Sequence, residues 1–218
     1  MQKNEFVRIN FTAKVKDTGQ VFDRGDSVPI VTGAGFVISG LDRVIMEMEP
    51  GEKKTVELSP EEAFGNRNPG LVRPIPLSEF KRHGIEPRPG MVVTADNLRG
   101  RVLSVDSGRV KVDFNHPLAG KTVVYEVEVT ERIESNEERL ASLVEYYTRL
   151  KPESVEIKEG VANVVVQPGI PPGIKSRIAS DALRFLGIRE VRFVESFRPE
   201  EPSESGSSEK DRTPEHQG

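Results

Sequence analysis

Residues 31–48 read VTGAGFVISGLDRVIMEM. An extended stretch, VPIV at 28–31, runs into a glycine-rich turn, and a helical pattern follows. That is the layout of a dinucleotide-binding fingerprint, in which G-x-G-x-x-G opens a helix and cradles a pyrophosphate. The spacing rejects it. The position that needs the third glycine is Ile38, and Gly40 falls two residues late. A β-branched side chain would stand where helix and strand must touch. Pro50-Gly51 then stops the helix and TVEL follows at once, so no second parallel strand brings the acidic ribose partner. Something other than a nucleotide requires Phe36, Val37 and Ile38 at the head of a helix, and the task of Gly33, Gly35 and Gly40 stays open at this point.

Outward from that stretch, FVRINFTAKVK at 6–16 alternates. Val7, Ile9, Phe11, Ala13 and Val15 share one face, opposite Arg8, Asn10, Thr12, Lys14 and Lys16. This period of two predicts a half-buried antiparallel strand. A turn at Gly19 leads into VFD, a second short strand. Leu41, Val44, Ile45 and Met48 recur at helical spacing. KKTVEL is a strand, and VVYEVEVTERI at 123–133 alternates again through Val123, Tyr125, Val127 and Val129.

Residues 71–116 differ in texture. Pro74, Pro76, Pro87 and Pro89 come first, then MVVTAD, RGRVLSV and RVKVDF, the last two joined at Asp106-Ser107-Gly108. Eight Lys/Arg face five Asp/Glu here, a mildly basic stretch. A loop this long without structure of its own is improbable, so a small β-rich insert is expected. From 135 the pattern changes to helix, hairpin, helix, strand. NEERLASLVEYYTRL is amphipathic, SVEIKEGVANVVVQ turns at Glu159-Gly160, IKSRIASDALRFLG stops at a glycine, and EVRFVESF closes the unit. The order αββαβ implies a compact α+β module over 135–198. Residues 199–218, rich in Pro, Ser, Gly and Glu, carry two Lys/Arg against six Asp/Glu and are expected to be a disordered acidic tail.

The 218 residues contain 35% hydrophobic and 30% charged side chains, which fits several small packed units better than one large core. The absence of cysteine points to a reducing cytoplasm. Charges from Lys3 onward leave no signal-peptide pattern, and no apolar run reaches membrane-spanning length. A net charge of −4 argues against a dedicated nucleic-acid binder. The 135–198 module is nearly neutral and lacks a GxxG clamp, so a KH-like RNA role for GIPPGIKSRI is not favoured.

The pieces GAGFVISGLDRVIMEMEPGEK, SPEEAFG and NHPLAGKTVVYEVEV, in this order, resemble the FK506-binding-protein (FKBP) family of peptidyl-prolyl cis-trans isomerases. The insert makes the chain similar to the SlyD-like branch, with an insert-in-flap chaperone domain. The module after 134 is placed like the extra domain of long archaeal members. The resemblance implies an α+β fold, a curved antiparallel sheet wrapped on a short helix. Its isomerase domain would be discontinuous, over 1–70 and 117–134, interrupted by the 71–116 chaperone insert.

Carried onto this chain, the resemblance implies a proline pocket of Phe11, Phe22, Asp23, Val37, Ile38, Leu41, Phe64 and Tyr125. Without it, the apolar members read as ordinary core residues and Asp23 as a turn cap. With it, Asp23 polarises the pocket edge. Two departures stand out. Leu41 replaces the family's common tryptophan floor. Phe64 replaces a tyrosine, removing a hydroxyl donor worth about 1 kcal/mol. In the insert, Ile75, Leu77, Phe80, Met91, Val93 and Val102 are candidates for an apolar client groove, the alternative being the insert's own core.

The implied function is isomerisation of X–Pro bonds in unfolded or nascent proline-containing polypeptides, joined to folding-chaperone activity. The alternative is a holdase with a vestigial pocket. No cofactor is expected. His83, His116 and His216 are too scattered for the family's histidine-rich nickel tail, so no metal is expected either, and His116 reads as a turn residue. No nucleic-acid or membrane partner is implied, and 135–198 could mediate self-association.

Overall fold

The computed structural model describes residues 1–95 and 97–197. The acidic stretch 199–218 lies outside the described residues. The described residues form three separate sheets.

The first sheet takes strands from both ends of the sequence segment that flanks the insert. Strands β1 (Phe6–Val15), β2 (Val21–Val31), β3 (Lys53–Leu58) and β8 (Val123–Arg132) pair in the order β2-β1-β8-β3, all antiparallel. The alternation read from the sequence becomes two faces. Val7, Ile9, Ala13 and Val15 turn inward beside Val123, Tyr125, Val127 and Val129, all buried. Helix α1 (Ser39–Met46) covers them with Leu41 and Ile45, and Met48 completes the same core just past the helix end. The outer face carries cross-strand pairs such as Lys14–Glu126 at 2.6 Å and Lys53–Glu128 at 3.3 Å. These exposed pairs fix register more than they stabilise.

Strand β2 corrects one expectation. VFD is not a short separate strand, because the chain stays paired with β1 from Val21 to Val31. Strand β2 is an edge strand, where Pro29 and an irregular register are tolerated. Ser27 adopts a positive φ of 52° within that irregularity.

The second sheet orders β4 (Val72–Pro76), β7 (Arg109–Asp113), β6 (Leu98–Asp106) and β5 (Val92–Ala95) as β4-β7-β6-β5. Its proline strand, with Pro74 and Pro76, lies at an edge, where a missing N–H costs least. A short helix α2 (Leu77–Arg82) drops Phe80 onto Val93, Val102, Val110 and Val112. That helix is absent from the sequence reading: six residues are under two turns and give no usable periodicity.

The third unit follows the expected order: α3 (Asn136–Thr148), β9 (Ser154–Lys158), β10 (Val161–Val166), α4 (Pro172–Leu186) and β11 (Glu190–Glu195). Ser135 caps α3 by accepting from the Glu138 N–H at 3.2 Å. Gly187, at φ 68°, ends α4. Strand β10 pairs antiparallel with β9 and parallel with β11, with α4 as the crossover. The core of this unit is shared: Phe6, Val31 and Ile133 of the first sheet pack with Leu140, Leu143, Val164 and Ile178. Arg8 on β1 reaches Glu145 on α3 at 2.8 Å.

Candidate functional site

The chain between β2 and β3 sets one wall of the site. Gly33 and Gly35 take positive φ values of 66° and 79°, a region costly for residues with a Cβ. The Gly33 N–H donates to the Asp42 carboxylate at 2.8 Å, which ties the start of the turn to the first turn of α1. Ile38 is the N-cap of α1, with φ −60° and ψ 148°. Among the described residues the Ile38 N–H has no hydrogen-bond acceptor, whereas its carbonyl accepts from the Asp42 N–H. Gly40 has a different task. A Cβ there would lie 2.9 Å from the Glu62 carbonyl oxygen and 2.9 Å from Leu58 Cδ2. The helix thus touches the backbone of the SPEEAF segment, and the Gly40 N–H donates to the Glu62 carbonyl at 2.9 Å.

Glu62 locks that segment. Its carboxylate accepts from the Ser59 N–H at 3.1 Å and the Ser59 hydroxyl at 2.9 Å, and it pairs with Arg43 on α1. The Arg43 hydrogen bond, then the Ser59 amide, holds the carboxyl at about 2 against an ordinary 4.5. A depressed carboxylate pKa contributes stability above 4.5 that is lost as the pH falls toward 2. Urea midpoints measured across that window should therefore fall less steeply for Glu62→Gln than for the wild type. Identical slopes would remove Glu62 from this role.

These constraints bring the expected pocket residues together. Phe11, Phe22, Val37, Ile38, Leu41, Phe64 and Tyr125 all belong to one apolar cluster. Leu41 and Tyr125 are its buried members, 2% and 4% exposed, while Phe11, Phe22, Val37, Ile38 and Phe64 are partly exposed. The rings interlock. Phe22 meets Phe64 edge-on at 5.7 Å and Tyr125 edge-on at 6.1 Å, and Phe11 lies 6.0 Å from Tyr125. Gly25, paired with Phe11 across the strands, makes room: a Cβ there would come within 2.6 Å of the Phe11 ring.

Asp23 stands apart from this cluster, at its exposed edge, and accepts from the Arg24 N–H at 2.9 Å. Burial, reinforced by the Asp23 charge, pushes the Tyr125 phenol up to about 12. The Tyr125 hydroxyl is therefore a neutral donor at physiological pH.

His116 was read from the sequence as a turn residue, and its Nδ1 does accept from the Leu118 N–H at 3.2 Å. Its ring also stacks on Phe64 at 4.8 Å and 4°. No local pattern signals that contact, because most of the insert separates His116 from Phe64 in sequence. The NHPLAG turn is tied to the same place, through Gly120 N–H to the Gly65 carbonyl at 2.8 Å. Asp42 is the other contributor missed. An acidic residue in a first helical turn reads as a favourable charge for the helix dipole, with no hint of the Gly33 amide it holds.

A depression of about 290 Å³ lies on the outward side of the first sheet, between Asn10, Phe11, Thr12, Lys53, Thr55, Glu126, Val127 and Glu128. Its lining is mixed, with Phe11 and Val127 among charged and hydroxyl side chains.

The six insert candidates divide. Phe80, Val93 and Val102 are buried in the second sheet's core, and Ile75 and Leu77 pack against it, so these do not line an open groove. Only Met91 is exposed. The surface instead carries Val92, Leu98, Leu103 and Val105. Period-two alternation places Val92 and Val93 on opposite faces but does not say which face is out.

Among the described residues no group of three or more His, Cys, Asp or Glu is arranged to hold a metal ion. His216 lies outside them.

Comparison with known proteins agrees with this geometry. Residues 73–118 match the family described as the FKBP26 IF domain. The chain is 34% identical over 139 residues to the FKBP-type 16 kDa peptidyl-prolyl cis-trans isomerase of Escherichia coli, covering 60% of this chain and 93% of that one. It is 33% identical over 143 residues to the FKBP-type peptidyl-prolyl cis-trans isomerase SlyD of Helicobacter pylori, covering 62% and 76%.

The chain belongs to the FKBP-type peptidyl-prolyl cis-trans isomerase family. A short-type peptidyl-prolyl cis-trans isomerase of Methanocaldococcus jannaschii is 28% identical over 146 residues, covering 59% of this chain and 92% of that one. The SlyD-like character of this FKBP-type chain rests on the SlyD relatives together with the 73–118 match. Its mixed architecture, antiparallel sheet under a short helix, is the α+β fold expected for an FKBP-type protein.

Proposed function

We propose that this chain accelerates cis–trans isomerisation of X–Pro bonds in unfolded or nascent polypeptides, at the Phe11–Phe22–Val37–Ile38–Leu41–Phe64–Tyr125 cluster. One observation carries the reading: a cluster of partly exposed aromatic and aliphatic side chains packed with buried Leu41 and Tyr125, with a free backbone donor, Ile38 N–H, at its lip.

The chemistry needs no more. Rotation about the X–Pro bond breaks amide resonance against a barrier of about 18–20 kcal/mol. A planar amide is strongly dipolar and well hydrated, and the twisted amide less so. An apolar dish that takes the prolyl ring and strips water from the amide therefore favours the twisted state. Each increment of about 1.4 kcal/mol in that preference raises the rate tenfold. The Ile38 N–H holds the substrate carbonyl, while Asp23 sets the polarity of the outer edge. No nucleophile, general acid or cofactor takes part.

The 71–116 insert would capture extended segments on its exposed apolar side chains, raising the local concentration of a tethered proline at the dish. Val92, Leu98, Leu103 and Met91 supply the apolar surface, and edge strand β5 supplies free backbone groups. This assigns the discontinuous 1–70 and 117–134 segments to isomerisation and the insert to chaperone work. The lack of cysteine supports a cytoplasmic setting. No helix of the described residues is long and apolar enough to cross a membrane.

The holdase alternative draws on Phe64, which leaves the rim without a hydroxyl at that position. Two assays run together separate the readings. The triple variant Val92→Ser, Leu98→Ser, Leu103→Ser should lose most of its acceleration of proline-limited refolding while turning over a short proline peptide much as before. Equal losses on both substrates would remove the chaperone role from the insert. Absence of peptide turnover by the wild type would favour the holdase.

A further inference from the structure

The loop that carries the lip of the dish is held from outside the isomerase sheet. The Phe36 carbonyl accepts a hydrogen bond from the Tyr146 hydroxyl at 2.8 Å, a contact across 110 residues of sequence. The Phe36 ring packs against Tyr146 at 4.5 Å, Tyr147 at 6.2 Å and Phe185 at 6.2 Å. Phe36 thus packs against both apolar clusters, the one that forms the dish and the one around α3 and α4. Nearby, the Arg8–Glu145 pair at 2.8 Å joins β1 to the same turn of α3.

Position makes this contact consequential. The Phe36 carbonyl and the Val37 N–H belong to one planar peptide, so a fixed direction for the first fixes the second. Val37 and Ile38 follow directly, and they form the dish's aliphatic wall. The two residues of positive φ just before, Gly33 and Gly35, give this loop more conformational freedom than most. Asp42 anchors the loop at Gly33, and without Tyr146 the next fixed point along the chain would be the helix cap at Ile38. Burial raises the Tyr146 phenol above its ordinary value, so it remains a donor at neutral and mildly alkaline pH.

We propose that Tyr146 is a positioning residue for prolyl isomerisation: its hydroxyl fixes the Phe36–Val37 peptide, and the 135–197 unit thereby braces the Val37–Ile38 lip. The inference rests on the isomerase reading of the dish. It gives the third unit a catalytic purpose, because a lip ordered in advance spares the substrate the cost of ordering it.

The neighbouring tyrosine supplies the control. Tyr147 lies on the same helix and donates to the Asp181 carboxylate at 2.5 Å, a bond internal to the third unit. In the full-length chain, Tyr146→Phe keeps the ring and removes only the donor. Amide hydrogen exchange should quicken across residues 33–38, and kcat/KM on a proline tetrapeptide should fall about fivefold, the effect of one neutral hydrogen bond. The loss should appear in both kcat and KM. Tyr147→Phe should lower the thermal midpoint and leave turnover and loop exchange as they were. Unchanged loop exchange or unchanged turnover in Tyr146→Phe overturns the proposal, as do activity losses in both variants that simply track stability. If the wild type shows no turnover while loop exchange still responds to Tyr146→Phe, the isomerase reading fails and the brace itself survives.

Discussion

Phe22→Ala should lower kcat/KM on a short proline peptide by roughly a hundredfold while the chain stays folded. Phe22 is the ring on which the rim depends, edge-on to both Phe64 and Tyr125. Removing it takes away the apolar area a prolyl ring would cover together with two aromatic contacts, about 2–3 kcal/mol in all. At about 1.4 kcal/mol per decade that is close to two orders of magnitude. Its half-exposed position spares the core, so urea midpoints should shift far less than activity does. Turnover within twofold of the wild type would mean that the prolyl ring is bound elsewhere (roughly 0.4 kcal/mol separates those outcomes from noise).

The second large effect belongs to Gly40→Ala. Helices ordinarily gain from this change, by about 0.5–1 kcal/mol. Here the new methyl would stand 2.9 Å from a backbone oxygen of Glu62 and from Leu58 Cδ2. Neither is the loose end of a long side chain, so α1 and the SPEEAF segment must separate. Overpacking of this kind costs about 1–3 kcal/mol. The same displacement carries Phe64 away from Phe22 and weakens the Gly40 N–H to Glu62 bond. Stability by urea denaturation and peptide turnover should therefore fall together. An unchanged or raised midpoint would show that the contact is softer than the geometry implies.

The legible parts of this fold are those where one face of an element is buried and the other is wet. Strands β1 and β8 and the two long helices of the third unit announce themselves through period two or 3.6, Gly187 marks the end of α4, and Glu159-Gly160 marks the turn between β9 and β10. The glycine-rich turn was readable for the same reason that it misleads: its spacing excludes a nucleotide, yet only the structure shows that Gly40 answers to Glu62 and not to a strand behind the helix. Helix α2 was too short to carry a period, and β2 hid behind residues that favour turns but are tolerated at a sheet edge.

Contacts across long sequence separations were beyond reach. His116 on Phe64, Asp42 on Gly33 and Tyr146 on Phe36 are single side chains whose partners nothing local specifies. The insert shows a subtler limit. Composition put Phe80, Val93 and Val102 among candidates for an open groove, and only their packing together shows them as core.

The most direct measurement is the cis–trans exchange rate of a proline tetrapeptide, followed by exchange NMR at equilibrium with catalytic amounts of the full chain and no protease present. Wild type should raise the rate far above the uncatalysed one, and Phe22→Ala should return it most of the way to the peptide alone. If the rate with wild type equals that of the peptide alone, the apolar dish does not catalyse the rotation, and the central claim is wrong.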